Sequence, residues 1–239
     1  MRTFIRRALA NFGIEAKRIP KNQYGWLRDL NINTVLDIGA NTGQFATLIH
    51  DILPEADIYS FEPLGDCFEE LERHMHHLGR FRAFRYALGE RDDELEIHRS
   101  EFSPSSSLLA MRQIHAQLFP YTARTWVERV SVRTLDGVVT GLELRDNVLI
   151  KIDVQGYEDR VIRGGPRALA RAKALIVEVS FQPLYDSQPL FDSIYRMLWE
   201  LGFKYAGSME QLMSPVDGSV LQSDAVFLRA TNDAEHDAR

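Results

Sequence analysis

The chain has 239 residues, of which 45% are hydrophobic, and this length is enough to bury the core of one α/β domain but short for two. Its net charge of -6 at pH 7 and its pI near 5.7 argue against nucleic acid as a partner, because a surface that follows phosphates needs an excess of Lys and Arg. Cys67 is the only cysteine, which excludes an intrachain disulfide and is typical of proteins from a reducing compartment.

Residues 1–30 predict a basic N-terminal helical arm. Apolar residues from Phe4 to Phe12 recur at helical spacing, and arginines occupy the other face of that helix. The apolar stretch is too short for a signal peptide and no run approaches the length of a membrane span, so we expect a cytoplasmic protein without a transmembrane segment. We expect the arm to pack on its own domain or to join two copies of the chain as a homo-oligomer, rather than to bind an anionic membrane surface.

A βαβ unit is predicted directly after the arm. Its apolar spacing predicts a strand at 35–38, a glycine turn at 39–43, a helix at 45–53 and a second strand at 58–61. Strand, glycine turn, helix and strand in this order are typical of a nucleotide-binding fold.

The glycine turn and Glu62 together favour a nucleoside without phosphates as the ligand. Glu62 ends the second strand about 20 residues beyond the last glycine, where such folds place an acid that accepts from ribose hydroxyls. A dinucleotide turn needs glycine where this chain has Asn41, and no Gly-Lys-Ser/Thr sequence is present to hold a triphosphate. S-Adenosylmethionine meets these conditions, with Asp37 near its amino group and the glycines beside its amino-acid part. The alternative is a tight strand-to-helix connection in which Asp37 only caps the helix.

The middle of the chain is predicted to complete the first half of a doubly wound sheet. A helix is expected at 65–77 and strands at 81–88 and 95–98. Residues 102–125 break this rhythm with Pro104 and three consecutive serines, and they form either the rim of a substrate site or a solvated linker. Residues 130–135 alternate as a strand does, and Asp136-Gly137 predicts a turn.

Three charged residues lie on the next two predicted strands, at 148–154 and 174–181. Lys151 and Asp153 alternate on one strand and therefore point to the same side, with Asp153 nearer the carboxyl end, where open α/β sheets bind ligands. Glu178 lies among aliphatic residues of the other strand, where a carboxylate is costly unless it is paired or used. Either Lys151 simply pairs with Glu178, or these side chains belong to the functional site.

The remaining elements are predicted to close the domain. One helix begins at Gly156 and ends at Gly164-Gly165-Pro166, and another follows Tyr185 and runs through Leu201. Closing strands are expected at 204–212 and 225–228, followed by a disordered tail at 231–239.

Several motifs in this order resemble the FkbM family of methyltransferases. They are Val35-Leu36-Asp37-Ile38-Gly39-Ala40-Asn41-Thr42-Gly43, Phe61-Glu62-Pro63, Ala87-Leu88-Gly89, Ser106-Ser107-Leu108, Thr134-Leu135-Asp136, Leu149-Ile150-Lys151-Ile152-Asp153-Val154-Gln155-Gly156-Tyr157-Glu158, and Glu178-Val179-Ser180-Phe181 with Pro183-Leu184-Tyr185. The resemblance spans residues 31–230. It implies a Rossmann-like α/β fold, a doubly wound seven-stranded sheet flanked by helices with its last strand antiparallel. It also implies S-adenosylmethionine as cofactor and O-methylation of a small-molecule or glycan acceptor, on a hydroxyl of a sugar, a glycolipid or a natural product.

The resemblance further implies which residues form the site. It places Asp37, Gly39, Asn41, Gly43 and Glu62 around the cofactor, and Ala87 near the adenine. It places Asp153 where the cofactor and the acceptor meet. The substrate residues carried over from the family motifs are Ser106, Ser107 and Tyr185.

The catalytic mechanism stays open at this point. An aliphatic hydroxyl is a poor nucleophile without a base or a metal, and Asp153 and Glu178 are the candidate catalytic residues, with His115 and Glu158 as further ones. Asp153 and Glu178 act either as a direct base or as ligands of a Mg²⁺ ion. Two other functions compete with methyl transfer: a nicotinamide-dependent oxidoreductase, which Asn41 opposes, and a non-catalytic nucleoside-binding scaffold.

Overall fold

The computed structural model of the protein describes residues 24–230. The predicted helix between Phe4 and Phe12, the arm up to residue 23 and the predicted tail at 231–239 lie outside the described residues. The elements, in chain order, are α1 (Trp26–Asp29), β1 (Thr34–Ile38), α2 (Gln44–Ile52), β2 (Asp57–Phe61), α3 (Gly65–Met75), β3 (Phe81–Phe84), β4 (Ala87–Gly89), β5 (Asp93–Ser100), α4 (Gln113–Leu118), β6 (Thr125–Thr134), α5 (Leu135–Val139), β7 (Val148–Ile152), α6 (Glu158–Arg163), α7 (Pro166–Arg171), β8 (Ala172–Ser180), α8 (Phe191–Glu200), β9 (Phe203–Met213) and β10 (Val220–Arg229). Short 3₁₀-helices lie at Ser103–Ser105 and Pro120–Thr122.

The main sheet has seven strands in the order β3-β2-β1-β7-β8-β10-β9. The first five strands of that order are parallel, and β10 is antiparallel to both β8 and β9. Every residue of β1 and β7 is buried, as expected for parallel strands covered on both faces. The strand order reverses between β1 and β7, which is the point where open α/β sheets bind ligands. The predicted doubly wound sheet with its last strand antiparallel is confirmed.

Helices cover both faces of this sheet through apolar stripes. On one face α2 and α3 contribute Ile49 and Leu71 to a core that also contains Val35 of β1. On the other face α6 and α8 contribute Val161 and Leu198. These helices pack against the faces of the sheet and not against the carboxyl ends of its parallel strands. The loops that follow those strands are therefore open to a ligand.

The strand predicted at 81–88 is interrupted. β3 pairs with β2 as expected, but from Ala87 the chain joins β6 in a separate three-stranded sheet of order β4-β6-β5. The reason is local packing, because Phe84 and Tyr86 both lie against the ring of Phe61 and the chain bends between them. A single continuous strand was therefore the wrong prediction for this stretch.

Three other predicted boundaries differ from the structure. Asp136-Gly137 lies inside α5 rather than in a turn, because the side chain of Thr134 caps that helix by accepting from the backbone N–H of Gly137 at 3.2 Å. The helix predicted from Gly156 ends before Pro166, as expected, but Pro166 is itself the first residue of a further helix, α7, since proline is well suited to a first helical turn. The helix expected to follow Tyr185 begins only at Phe191.

Part of the predicted N-terminal arm belongs to the core. Tyr24 and Leu27 are buried and pack with Phe45 of α2, so the packed domain extends upstream of the boundary predicted at residue 31. None of the helices within residues 24–230 is long and apolar enough to cross a membrane.

Candidate active site

A cavity of about 560 Å³ opens at the carboxyl ends of β1, β2, β7 and β8. Residues that follow these strands line it: Gly39 and Asn41 after β1, Glu62 after β2 and Asp153 after β7. Glu178, two residues before the end of β8, lines the same cavity. The sheet therefore brings together five of the residues that the sequence singled out, at the edge where the fold predicts a ligand.

The glycine turn is held tightly against the neighbouring strands. The backbone N–H groups of Gly39 and Ala40 both donate to the carbonyl oxygen of Phe61 at 3.0 Å. Gly39 has φ +83°, and a Cβ there would lie 1.8 Å from the carbonyl oxygen of Asp153, so no other residue fits. The turn is thus packed directly against the backbone that follows β7.

Gly43 has a different position from the other turn residues. It has φ +91° immediately before α2, and a Cβ there would lie 2.8 Å from Cδ1 of Leu71. Gly43 does not line the cavity, and its contacts are with helix α3.

Glu62 is anchored by the backbone and faces the cavity. Its Oε2 accepts from the N–H of Asn41 and its Oε1 from the N–H of Leu64, both at 2.8 Å. Burial raises the pKa of Glu62 to about 7, although these two donors act to lower it. Each carboxylate oxygen keeps a lone pair, so the side chain can still accept hydrogen bonds from a ligand such as a ribose.

Asp37 lies behind the cavity wall rather than on it. Its side chain is fully buried, Oδ2 accepts from the hydroxyl of Ser60 at 3.2 Å, and Oδ1 has no partner within residues 24–230. In the sheet Asp37 pairs with Lys151 of β7, the next strand. Burial raises the pKa of Asp37 to about 6, and the charge of Lys151 opposes that rise.

Lys151 pairs with Asp153 and not with Glu178. Its Nζ lies 2.7 Å from Oδ2 of Asp153, which confirms that the two side chains point the same way. Burial alone would lower the pKa of Lys151, but Asp153, Asp224 and Asp37 together raise it. The predicted alternative, a simple Lys151–Glu178 ion pair, is therefore wrong.

Glu178 is held by amides instead of by a cation. Its Oε2 accepts from Nε2 of Gln155 at 2.7 Å and from Nε2 of Gln222 at 2.9 Å, and no residue of 24–230 donates to Oε1. Burial raises the pKa of Glu178 well above its ordinary value, and the charges of Asp153, Glu158 and Asp224 add to the rise. Glu178 is therefore a carboxyl with a free oxygen and an enhanced affinity for a proton.

Asp224 is a site residue that the sequence analysis missed. It lies directly opposite Glu178 in the antiparallel pairing of β10 with β8, and it lines the cavity. Burial raises the pKa of Asp224 to about 6, while Lys151 opposes the rise. The sequence signal was weak, because Asp224 ends the polar run Gln222-Ser223-Asp224 and the predicted strand began one residue later.

The predicted substrate residues differ in position. Ser106 and Ser107 line the cavity, and their hydroxyls are already used: Ser106 accepts from the N–H of Ser100 at 3.0 Å and Ser107 donates to the carbonyl of Gln155 at 2.6 Å. Tyr185 is fully buried and does not line the cavity. The first part of the 102–125 stretch therefore forms a rim of the cavity, and the rest folds into α4 and a 3₁₀-helix, so the stretch is not a solvated linker.

Ala87, predicted near the adenine, also lines the cavity. It is the first residue of β4, directly after the bend in the chain. The split of the predicted strand thus places its second part at the site.

The two further base candidates lie away from the cavity lining. His115 is buried between the rings of Phe119 and Tyr185, and burial lowers its pKa to about 4. Glu158 uses Oε1 to accept from the N–H groups of Val154 and Gly156, and burial raises its pKa to about 7. Neither side chain is placed to reach an acceptor in the cavity.

The carboxylates of the site do not fit a metal ion. The ammonium group of Lys151 is bound to Asp153, and the side-chain amides of Gln155 and Gln222 donate hydrogen bonds to Oε2 of Glu178. Within residues 24–230 no group of three or more His, Cys, Asp or Glu side chains has the arrangement to hold a metal. The predicted Mg²⁺ alternative gains no support from the described residues.

The same cavity does fit a nucleoside without phosphates. Glu62 offers acceptors for ribose hydroxyls, and Gly39 and Asn41 of the turn line the cavity beside it. Lys151 is the only cation among the described lining residues, and it is already paired. A pyrophosphate would find no basic partner there, in agreement with the argument from Asn41.

Comparison with known proteins gives a consistent result. A family model described as the methyltransferase FkbM domain matches residues 37–205. The 2-O-methyltransferase NoeI of Sinorhizobium fredii (strain NBRC 101917 / NGR234) is 32% identical over 166 residues, covering 64% of this chain and 66% of NoeI. The AMB antimetabolite synthetase AmbE of Pseudomonas aeruginosa is 26% identical over 216 residues, which are 77% of this chain but 10% of AmbE.

One solved structure supports the fold. The crystal structure of methyltransferase FkbM from Methylobacillus flagellatus KT superimposes with a TM-score of 0.53 at 13% identity, over 83% of this chain and 44% of that one. The chain thus spans just under two thirds of NoeI and less than half of the other two proteins.

Proposed function

The chain belongs to the FkbM methyltransferase family, and from this premise we propose that it transfers a methyl group from S-adenosylmethionine to a hydroxyl of a sugar, a glycolipid or a natural product. One observation carries the proposal. A single cavity contains Glu62, which can accept hydrogen bonds from ribose hydroxyls, and Glu178, whose Oε1 receives no hydrogen bond from the described residues. The similarity to a 2-O-methyltransferase favours oxygen as the methylated atom.

The residues proposed to hold the cofactor lie on one side of the cavity. Glu62 accepts from the ribose hydroxyls, the turn at Gly39 and Asn41 borders the amino-acid part, and Ala87 borders the adenine. Asp37 and Gly43 support this side from behind, Asp37 through its charge and Gly43 through the start of α2. When bound, S-adenosylmethionine supplies an electrophilic methyl group on a sulfonium.

The residues proposed for catalysis lie on the other side. Glu178 takes the proton of the acceptor hydroxyl on its free oxygen as the new oxygen–carbon bond forms, and its raised pKa makes it a stronger base than an ordinary carboxylate. Asp153, which is ion-paired with Lys151, orients the acceptor hydroxyl beside Glu178. The chain thus contributes alignment of the two reactants and one proton transfer.

The first experiment tests the cofactor. A ligand at 100 times its dissociation constant adds about 2.7 kcal/mol to the free energy of unfolding, so thermal stabilisation by S-adenosylmethionine is expected and stabilisation by NAD(H) is not. The reverse result would contradict the proposal and favour the oxidoreductase alternative.

The second experiment tests the reaction. The protein is incubated with isotope-labelled S-adenosylmethionine and acceptor pools of sugars, glycolipids and hydroxylated natural products, and methylated products are identified by mass spectrometry. A Glu178→Gln protein is the matched control, because the change removes the base and leaves Glu62 and the glycine turn intact. Binding of S-adenosylmethionine without a product from any pool would support the non-catalytic scaffold instead.

The proposal also covers the setting of the reaction. We place it in the cytoplasm, because a single cysteine is typical of a reducing compartment. We also propose that two copies of the chain associate through the N-terminal arm. Measuring the molecular mass in solution of the full chain and of a chain without residues 1–23 tests this.

A further inference from the structure

Gln155 is a polar residue of the cavity to which the proposed reaction has so far given no role. It lies two residues after Asp153 and has a left-handed backbone with φ +55°, and Gly156 after it has φ +98°. Two consecutive residues of this kind turn the chain sharply, and they bring the Gln155 side chain back over the carboxyl ends of β7 and β8. A non-glycine residue in this conformation is uncommon and often serves a function.

The amide of Gln155 joins the two candidate catalytic carboxylates. Its Nε2 donates to Oδ1 of Asp153 at 2.9 Å and to Oε2 of Glu178 at 2.7 Å, so each of its two hydrogens serves one carboxylate. The reverse orientation of the amide would place Oε1 against both carboxylates and is therefore excluded by charge. We propose that Gln155 is a positioning residue, which holds Asp153 and Glu178 at a fixed separation and links them to the serine rim of the cavity.

Tyr185 and Ser107 provide that link. The hydroxyl of Tyr185 lies 2.9 Å from Oε1 of Gln155 and 3.1 Å from the carbonyl oxygen of Ser105, and Ser107 donates to the backbone carbonyl of Gln155. Tyr185 is fully buried, and His115 packs edge-on against its ring with the ring centroids 5.2 Å apart. This packing fixes the position of the Tyr185 hydroxyl against Gln155. A predicted substrate residue, Tyr185, thus acts through Gln155 rather than by contact with the acceptor.

The charges around Glu178 explain why the amide of Gln155 matters for its ionisation. Asp153, Glu158 and Asp224 surround Glu178 with negative charge, and Lys151 supplies the opposing positive charge from β7. The ionised form of Glu178 therefore depends on its two amide donors, Gln155 and Gln222. Loss of either donor favours the protonated form of Glu178 and moves its pKa upward.

The test follows the side-chain carboxyl carbon of Glu178 by ¹³C NMR from roughly pH 4 to 9, in the free protein. The signal is assigned by its loss in Glu178→Gln. Gln155→Met removes both donors at similar size, and the titration midpoint of Glu178 is expected to rise. Gln222→Met removes one donor to the same oxygen and shows that the measurement detects such a loss. A Gln155→Met protein that titrates like the wild type overturns the proposal.

A second variant tests the link to the rim and remains available if Gln155→Met does not fold. Tyr185→Phe removes one oxygen that does not touch Glu178, and a smaller rise of the same midpoint is expected because the amide loses its anchor. Tyr59→Phe is the matched control: it removes a buried tyrosine hydroxyl bonded to the carbonyl of Glu143, away from the cavity, and should leave the midpoint unchanged. Equal midpoints in the two variants overturn the link.

The catalytic meaning of this proposal rests on the proposed methyl transfer, but the titration uses neither methyl donor nor acceptor, so the two can fail separately. With an acceptor identified, Gln155→Met is expected to lower kcat roughly tenfold and to leave the KM for S-adenosylmethionine within about twofold. A general loss of structure would raise that KM as well.

Discussion

The ionisation of Glu62 predicts that the affinity for S-adenosylmethionine depends on pH. Glu62 is buried, with a pKa raised to about 7, and the proposed ligand donates two ribose hydroxyls to it. Hydrogen bonds to an ionised acceptor are about twice as strong as those to a neutral one, so binding favours the ionised form. Binding should therefore release a proton at any pH where Glu62 is protonated in the free protein and ionised in the complex.

The size of the effect follows from that pKa. With a pKa of about 7, Glu62 is roughly nine-tenths protonated at pH 6 and nine-tenths ionised at pH 8, so affinity should rise about tenfold between them. The stability of the free protein changes in the opposite direction. A folded pKa above the unfolded value of 4.5 stabilises the fold fully below about pH 4.5, and this stabilisation, about 3 kcal/mol, is lost as the pH rises through 7.

Isothermal titration calorimetry in two buffers of different ionisation enthalpy measures both the affinity and the protons released. The ligand's own amino group also titrates near this range, so Glu62→Gln is measured in parallel and the difference between the two proteins is used. Wild type should release close to one proton more than Glu62→Gln at pH 6. The same pH dependence in both proteins would refute the reasoning and remove Glu62 from the ribose site.

Three further predictions concern the rest of the site. Asp153→Asn should keep the affinity for S-adenosylmethionine within a few-fold and lower turnover by about 10²-fold, because the acceptor hydroxyl loses the group that orients it, whereas turnover at the wild-type rate would remove Asp153 from catalysis. EDTA should leave activity unchanged because the carboxylates do not fit a metal, and activity that EDTA abolishes and Mg²⁺ restores would contradict this. Gly39→Ala should lower the free energy of unfolding by roughly 2–6 kcal/mol in urea, because a Cβ meets the Asp153 carbonyl at 1.8 Å; Gly79→Ala, with nothing within 4 Å, should change it by less than about 0.5 kcal/mol.

Local sequence patterns were sufficient for the first βαβ unit. The apolar strand, the glycine turn and the distance from Gly43 to Glu62 are short-range features, and each constrains the backbone by itself. The alternation of Lys151 and Asp153 was equally informative, because neighbours two apart on a strand must share a face. The seven-stranded sheet with its antiparallel last strand was implied by the resemblance to the FkbM family and not by a local pattern.

Contacts between strands distant in sequence could not be predicted in the same way. Asp224 reaches the site only because β10 pairs antiparallel with β8 in a register that puts it opposite Glu178. That register depends on β9 and β10 as a pair, and no spacing in the sequence encodes it. The partner of Lys151 was missed for a related reason, because the choice between Asp153 and Glu178 depends on side-chain directions across two strands.

These unpredicted contacts decide which carboxylate acts as the base. Asp37, Asp153, Glu178 and Asp224 share one buried cation, Lys151, so they cannot all remain ionised at neutral pH without cost. Lys151 forms its ion pair with Asp153, so a carboxylate oxygen of Asp153 is already bound to a cation. Glu178 has only amides as partners, and its pKa is raised well above the ordinary value by burial and, in addition, by the charges of Asp153, Glu158 and Asp224. The group placed away from the cation is therefore the one best able to take a proton from the acceptor hydroxyl.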